Sequence, residues 1–118
     1  MKRIAFILLI ALAFTACEKD PETGDLLIIF EYDSFNQADV ECTLYSSLEN
    51  YDNYTFLERQ FSDEFGEVFF SELQPGWYYF EGEKVFNSMF SIYVVLDSVK
   101  INPLQQSNKI SIMHKANP

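Results

Sequence analysis

Histidine, cysteine and glycine are scarce in this chain, and each scarcity removes a class of chemistry. There is one histidine, His114, and there are two cysteines and four glycines in 118 residues. A zinc site needs more than the one His and one Cys that His114 and Cys42 supply. A Ser-His-Asp arrangement needs a firmly held imidazole, and His114 stands near the end of the last extended segment, where an edge residue is expected. No glycine-rich phosphate loop is present; the few glycines fall at turns or strand ends. No window of useful length has helical periodicity, and no repeat, coiled coil or low-complexity stretch appears.

Apolar length is concentrated at the start. Lys2 and Arg3 precede an unbroken apolar run from Ile4 to Phe14, followed by the small residues Thr15 and Ala16 and then Cys17. The run is shorter than the ~20 residues that a spanning helix needs, but it suits the core of an export signal. Phe14-Thr15-Ala16-Cys17 resembles the lipobox of bacterial lipoproteins, with Phe14 where Leu is usual. The resemblance implies cleavage after residue 16 and lipidation of Cys17, the lipidation site. The chain is then anchored to a membrane without a transmembrane helix, because several acyl chains hold stably where one binds marginally. An ordinary signal peptide with a chance Cys is the competing reading.

Residues 17–24 form a polar stretch, Cys17 to Gly24, that reads as the lipidated Cys and a short tether. Its Lys-plus-acidic composition is similar to surface-export signals of Bacteroidota lipoproteins. The expected location is therefore the bacterial cell envelope, as an outer-membrane lipoprotein with outward display.

Beyond residue 16 lie all eighteen acidic residues and six of the eight basic ones, a balance of −12 over the remaining 102 residues. That charge repels phosphate backbones and anionic lipid headgroups, so nucleic acid is not an expected partner. It suits a solvated, soluble surface and, as a second use, attraction of a cationic protein. The aromatic content, 17% of the chain, argues for a packed core in spite of the charge. With Cys17 lipidated, only Cys42 remains, so no internal disulfide is expected. Cys42 alternates with Val40 and Leu44, which predicts a packed core thiol.

Period-two and β-rich segments predict seven strands, near 25–33, 39–46, 53–61, 67–71, 76–84, 90–100 and 108–115. Turn-like residues separate them, the pattern of an all-β sandwich or barrel over residues 25–118. Asp63 and Gly66 suit a tight hairpin turn, and Pro75-Gly76 suits the centre of a type II turn. The run Ser62-Asp63-Glu64-x-Gly66-x-Val68-x-Phe70-x-x-Leu73-x-Pro75-Gly76-x-Tyr78-x-Phe80 resembles the central motif of carboxypeptidase-regulatory-like and related transthyretin-like domains. Ser62 stands where Thr is commoner, and the motif covers 19 of the 102 residues. The resemblance implies a seven-stranded Greek-key β-sandwich, transthyretin-like (prealbumin-like), with no shared catalytic residues. Fold by itself fixes no function.

The candidate chemistry is thin. Glu81 and Glu83 share one strand face, opposite Tyr78 and Phe80, and acid–base work would require one of them buried with a raised pKa. Asp20, Glu22 and Asp25 match no calcium loop. Asn53-Tyr54-Thr55 has the form of an N-glycosylation sequon, and Asp97-Ser98-Val99 resembles a short O-glycosylation site of exported Bacteroidota proteins. No catalytic residues, metal or cofactor are expected, and the chain reads as a non-enzyme. One interaction face stands out. If Tyr78 and Phe80 face the core, Trp77 and Tyr79 point outward, and Tyr45 does so on its own strand. Such aromatics stack on sugars or anchor a protein partner; alternatively a loop or the tether covers them. The expected function is a non-catalytic structural or interaction module binding a protein or glycan. The alternative is an inhibitor or sequestering protein for a cationic target such as a lysozyme.

Overall fold

A computed structural model of the chain describes residues 22–85 and 92–116. The expected signal peptide 1–16, the expected lipidation site Cys17 and most of the expected tether lie outside the described residues. Among the described residues there are nine strands, the long ones built on alternating apolar residues: β1 (Gly24–Tyr32), β2 (Phe35–Asn36), β3 (Glu41–Tyr45), β4 (Glu58–Phe61), β5 (Glu67–Leu73), β6 (Gly76–Val85), β7 (Ile92–Ile101), β8 (Gln106–Ile112) and β9 (His114–Ala116). One short helix, α1 (Leu48–Asp52), interrupts them. Each of the seven expected segments contains a strand, and the chain is all-β. Gly24, read as the end of the tether, is already paired with Leu73 as the first residue of β1.

Two sheets result. In sheet I, β1 is central, with β5 and the short β2 along one edge and β8, parallel to β1, along the other. Sheet II has the order β4-β3-β6-β7-β9. The chain passes from sheet I to sheet II at Met113, which is buried and donates its N–H to the Glu31 carbonyl (2.8 Å). One face of each sheet supplies the core: Leu26, Ile28, Phe30, Val68 and Phe70 from sheet I, and Cys42, Leu44, Phe80, Val99 and Ile101 from sheet II. Phe30 and Phe80 meet edge to face with ring centroids 6.1 Å apart. Gly82 allows this closure. A Cβ there would lie 2.5 Å from the Phe30 ring, so the missing side chain lets an aromatic ring rest on the β6 backbone.

The first central turn forms from the expected residues but does a different job, while Gly76, expected at the centre of a type II turn, has φ +137° in place of the ~+80° of that turn. Phe65 and Glu67 each donate a backbone N–H to Asp63 Oδ1 at 2.9 Å. Gly66 takes φ +79°, and a Cβ there would crowd Gln37 N and Phe30 O at 3.0 Å. Yet β4 pairs with β3 in sheet II and β5 with β1 in sheet I, so this turn carries the chain between sheets and closes no hairpin. Buried Ser62 explains why. Its Oγ accepts from Val40 N–H (2.9 Å) and donates to the Gln37 carbonyl (2.7 Å), tying the turn to the chain that precedes β3. The turn before β6 likewise returns the chain to sheet II, and Gly76, at φ +137°, is already paired with Ile101.

Lys109 of β8 points toward the core side and lies 3.4 Å from Asp97 of β7. The open edge of β8 is seven residues long, and an inward-directed ammonium on such an edge hinders pairing with another chain.

Candidate functional site

The outer face of sheet II carries the residues with most to offer a partner. Alternation along β6 sends Tyr78, Phe80 and Gly82 inward and Trp77, Tyr79, Glu81 and Glu83 outward. The register then sets their neighbours. Trp77 stands opposite Lys100 and Tyr79 opposite Ser98 on β7, while on β3 Tyr45 flanks Tyr79, Thr43 flanks Glu81 and Glu41 flanks Glu83.

The three aromatics of the candidate face differ in exposure. Trp77 is 57% exposed and Tyr79 is half-buried. Tyr45 lies on the same outer side but is only 4% exposed, which corrects the expectation that it is available at the surface. Its cover is Tyr51 of α1, whose ring meets the Tyr45 ring edge-on at 5.2 Å. Tyr45 is thus the packed floor beside Tyr79 and is not a contact residue in its own right.

The helix that supplies this lid is too short to show a period in the sequence. Ser47 caps it, its Oγ accepting from the Asn50 N–H at 3.0 Å. At the other end, Tyr54 N–H donates to Tyr51 O (3.1 Å) and Thr55 N–H to Asn50 O (2.8 Å), the paired bonds of a Schellman ending. Tyr54 occupies the left-handed position that glycine usually fills, at φ +58°, with its side chain 86% exposed. The sequon Asn53-Tyr54-Thr55 is therefore the helix terminus.

Beside the aromatics runs an acidic strip. Glu41 and Glu83 stand directly opposite each other, and Glu81 is diagonal to Glu41 and two residues before Glu83 on the same strand face, an arrangement in which like charges repel. Arg59 is the offsetting cation. Its Nε lies 3.7 Å from Glu41 Oε2 and donates to Thr43 Oγ1 (3.1 Å), while its guanidinium covers the Phe56 ring at 4.3 Å. Partial burial, then Glu83 and Glu41, push the Glu81 carboxyl above its ordinary range, and Arg59 partly restores it. The acid–base pair considered in the sequence thus has one half-buried member, and the neighbouring Cys42 faces the core on the opposite side of the sheet.

The remaining candidates have structural surroundings. Cys42 is buried among core side chains, and burial raises its thiol pKa, which keeps it protonated and inert. His114 is exposed on β9, opposite Val94. Ser98 of the Asp97-Ser98-Val99 stretch is half-buried opposite Tyr79, and its N–H donates to Asp97 Oδ1 (2.8 Å). Asp25 Oδ1 accepts from the Glu72 N–H (3.1 Å). Among the described residues no three His, Cys, Asp or Glu side chains are grouped to hold a metal ion, and no helix is long and apolar enough to cross a membrane.

No family model and no curated protein matches this chain. The reading of the site therefore rests on its own geometry.

Proposed function

We propose that this chain is an exported cell-envelope lipoprotein, anchored through Cys17, whose β-sandwich is a non-catalytic module that binds a protein or glycan partner on the outer face of sheet II. The observation that carries the binding reading is the pair Trp77 and Tyr79, presented outward from β6 and braced on both sides by β3 and β7. Aromatic side chains on a rigid strand offer large contact area at small entropic cost. Lys100 beside Trp77 and Ser98 beside Tyr79 add donors at the rim.

The finer fold reading, a Greek-key sandwich of transthyretin-like type, is supported by the strand order. Strands β3 and β6 are neighbours although β4 and β5 intervene in the chain, and β8 returns to lie parallel with β1. On this reading β2 and β9 are short additions to a seven-strand plan.

Alanine at both Trp77 and Tyr79, in the otherwise intact exported chain, tests the face. Binding to a glycan array or to cell-surface protein preparations should weaken by about 2 kcal/mol or more, roughly 30-fold. Unchanged binding would remove this face from consideration. Mass spectrometry of the exported chain tests acylation at Cys17, and protease shaving of intact cells tests outward display.

A second reading, sequestration of a cationic target such as a lysozyme, is favoured by the strip Glu41, Glu81 and Glu83. Titrating the protein against basic enzymes at physiological salt decides it; undiminished enzyme activity would remove it.

A further inference from the structure

Strand β8 has its polarity reversed for a sandwich strand. Its core-side positions hold Ser107, Lys109 and Ser111, while Ile110 and Ile112 point away from the core, 57% and 52% exposed. In a strand with one covered face, the apolar set belongs inside. The register identifies what the outward isoleucines join. Ile110 stands opposite Ile29 of β1, and Leu27 of β1 stands opposite Phe69 of β5, itself 45% exposed. Phe69, Leu27, Ile29, Ile110 and Ile112 therefore form one apolar strip running obliquely across all three long strands of sheet I, on the side away from the core.

The entry of the chain indicates what this strip meets. Leu27 is the fourth residue of β1, and seven peptide links separate Cys17 from Gly24. Fully extended, they reach at most about 25 Å, less than the ~30 Å length of β1 itself. A tether this short keeps the body within about one strand length of whatever holds Cys17, near enough for one of its surfaces to rest there. Thr23, the last residue before β1, accepts a hydrogen bond from the Leu104 N–H (3.0 Å), and Leu104 is another exposed apolar side chain. Toward this end the strip is bordered by Asp25 and the uncharged Gln106 and Asn108, while Glu67 stands opposite Ile29 and Glu31 opposite Ile112.

We infer that sheet I lies against the lipid surface that holds Cys17, setting Phe69, Leu27, Ile29, Ile110 and Ile112 into the boundary between headgroups and acyl chains. This rests on the anchoring reading above. Such docking adds apolar contact to the acyl anchor, as peripheral membrane proteins do with a helix face, and it turns Trp77 and Tyr79 on sheet II toward the outside.

Position-specific fluorescence on the full acylated chain tests the orientation. The protein carries one tryptophan, Trp77, on the sheet turned outward, and it serves as the internal reference. An Ile110→Cys variant is labelled with an environment-sensitive dye; Cys42 is buried and Cys17 acylated, so the dye goes to position 110. Mass spectrometry first establishes acylation, and the protein is inserted into vesicles of phosphatidylethanolamine and phosphatidylcholine. The expected result is a blue shift of the dye and its quenching by lipids spin-labelled near the headgroup, with Trp77 unquenched. Gln at both Phe69 and Ile112 should reverse the shift while circular dichroism stays unchanged. An acylated protein whose dye is not quenched, or whose Trp77 is quenched instead, overturns the inference and leaves the anchor standing. A blue shift without lipid quenching, accompanied by dimers in sedimentation, assigns the strip to a second copy and also overturns it. Absence of acylation at Cys17 removes the anchoring reading and the inference together.

Discussion

Adding one methyl group at Gly82 should disturb the closure of the two sheets more than most surface changes could. The Cβ of a Gly82→Ala variant would fall 2.5, 3.0 and 3.2 Å from three carbons of the Phe30 ring. That ring is fully buried and wedged edge-on against Phe80, so it has no empty space into which to withdraw. Overpacking of this kind costs about 1–3 kcal/mol. Alanine also restricts the unfolded chain and recovers up to about 1 kcal/mol, so the net loss should lie near 1–2 kcal/mol. For a body of this size that corresponds to roughly 5–15 °C in Tm. Urea unfolding followed by Trp77 emission measures the loss, and a Phe30→Leu partner identifies its source. The smaller side chain leaves room for the methyl group, so the double variant should be more stable than the sum of the single effects predicts, by about 0.5 kcal/mol or more. A neutral Gly82→Ala variant, or strict additivity with Phe30→Leu, would refute the packing argument.

Three further outcomes follow from single residues. Tyr54→Gly removes a left-handed non-glycine residue from the end of α1 and should raise stability by about 0.5–1 kcal/mol in thermal melts, while any partner that uses the exposed ring loses it. The hydroxyl of Ser111 is fully buried and has no hydrogen-bond partner among the described residues. Ser111→Ala should therefore stabilise the fold by about 1 kcal/mol in urea titration, and a loss of that size would mean the hydroxyl has a partner. The Glu81 carboxyl is held above its ordinary range in the folded state, so ionising it opposes folding, and stability falls as pH rises through the folded pKa. Glu81→Gln should accordingly increase stability at pH 7, with the gain disappearing at pH values below the unfolded carboxyl range; a gain that persists there would contradict this cause.

Much of this architecture is legible in local pattern. Val68 and Phe70, Tyr78 and Phe80, and Val40, Cys42 and Leu44 alternate as strands with one buried face, and all seven residues are in the core. Asp63 and Gly66 declare their turn through side-chain acceptance and positive φ. What local pattern cannot carry is the partner across the gap. A turn that closes a hairpin and a turn that changes sheets can use the same residues; the difference here lies in Ser62 bonding to Gln37 and Val40, more than twenty residues earlier. Helix α1 has five residues, too few to repeat a 3.6-residue period, and it fills the gap between two expected strands. For the same reason the outward direction of Tyr45 followed from its strand, whereas its burial depends on Tyr51, which no periodicity links to it. The reversed polarity of β8 was readable as alternation, but assigning it to the outside required knowing that β1 was its neighbour.

The pairing of β1 with β8 has a consequence for how the molecule assembles. Asp25 meets Gln106 and Glu31 meets Ile112, so the first long strand is completed by one that follows about eighty residues later. Contacts so distant along the chain are slow to form, and until residue 112 is free to return, one whole edge of β1 has no neighbour. Closure thus waits on β8. A chain emerging from a narrow passage with its N-terminus leading would stay pliable until residue 112 had come through.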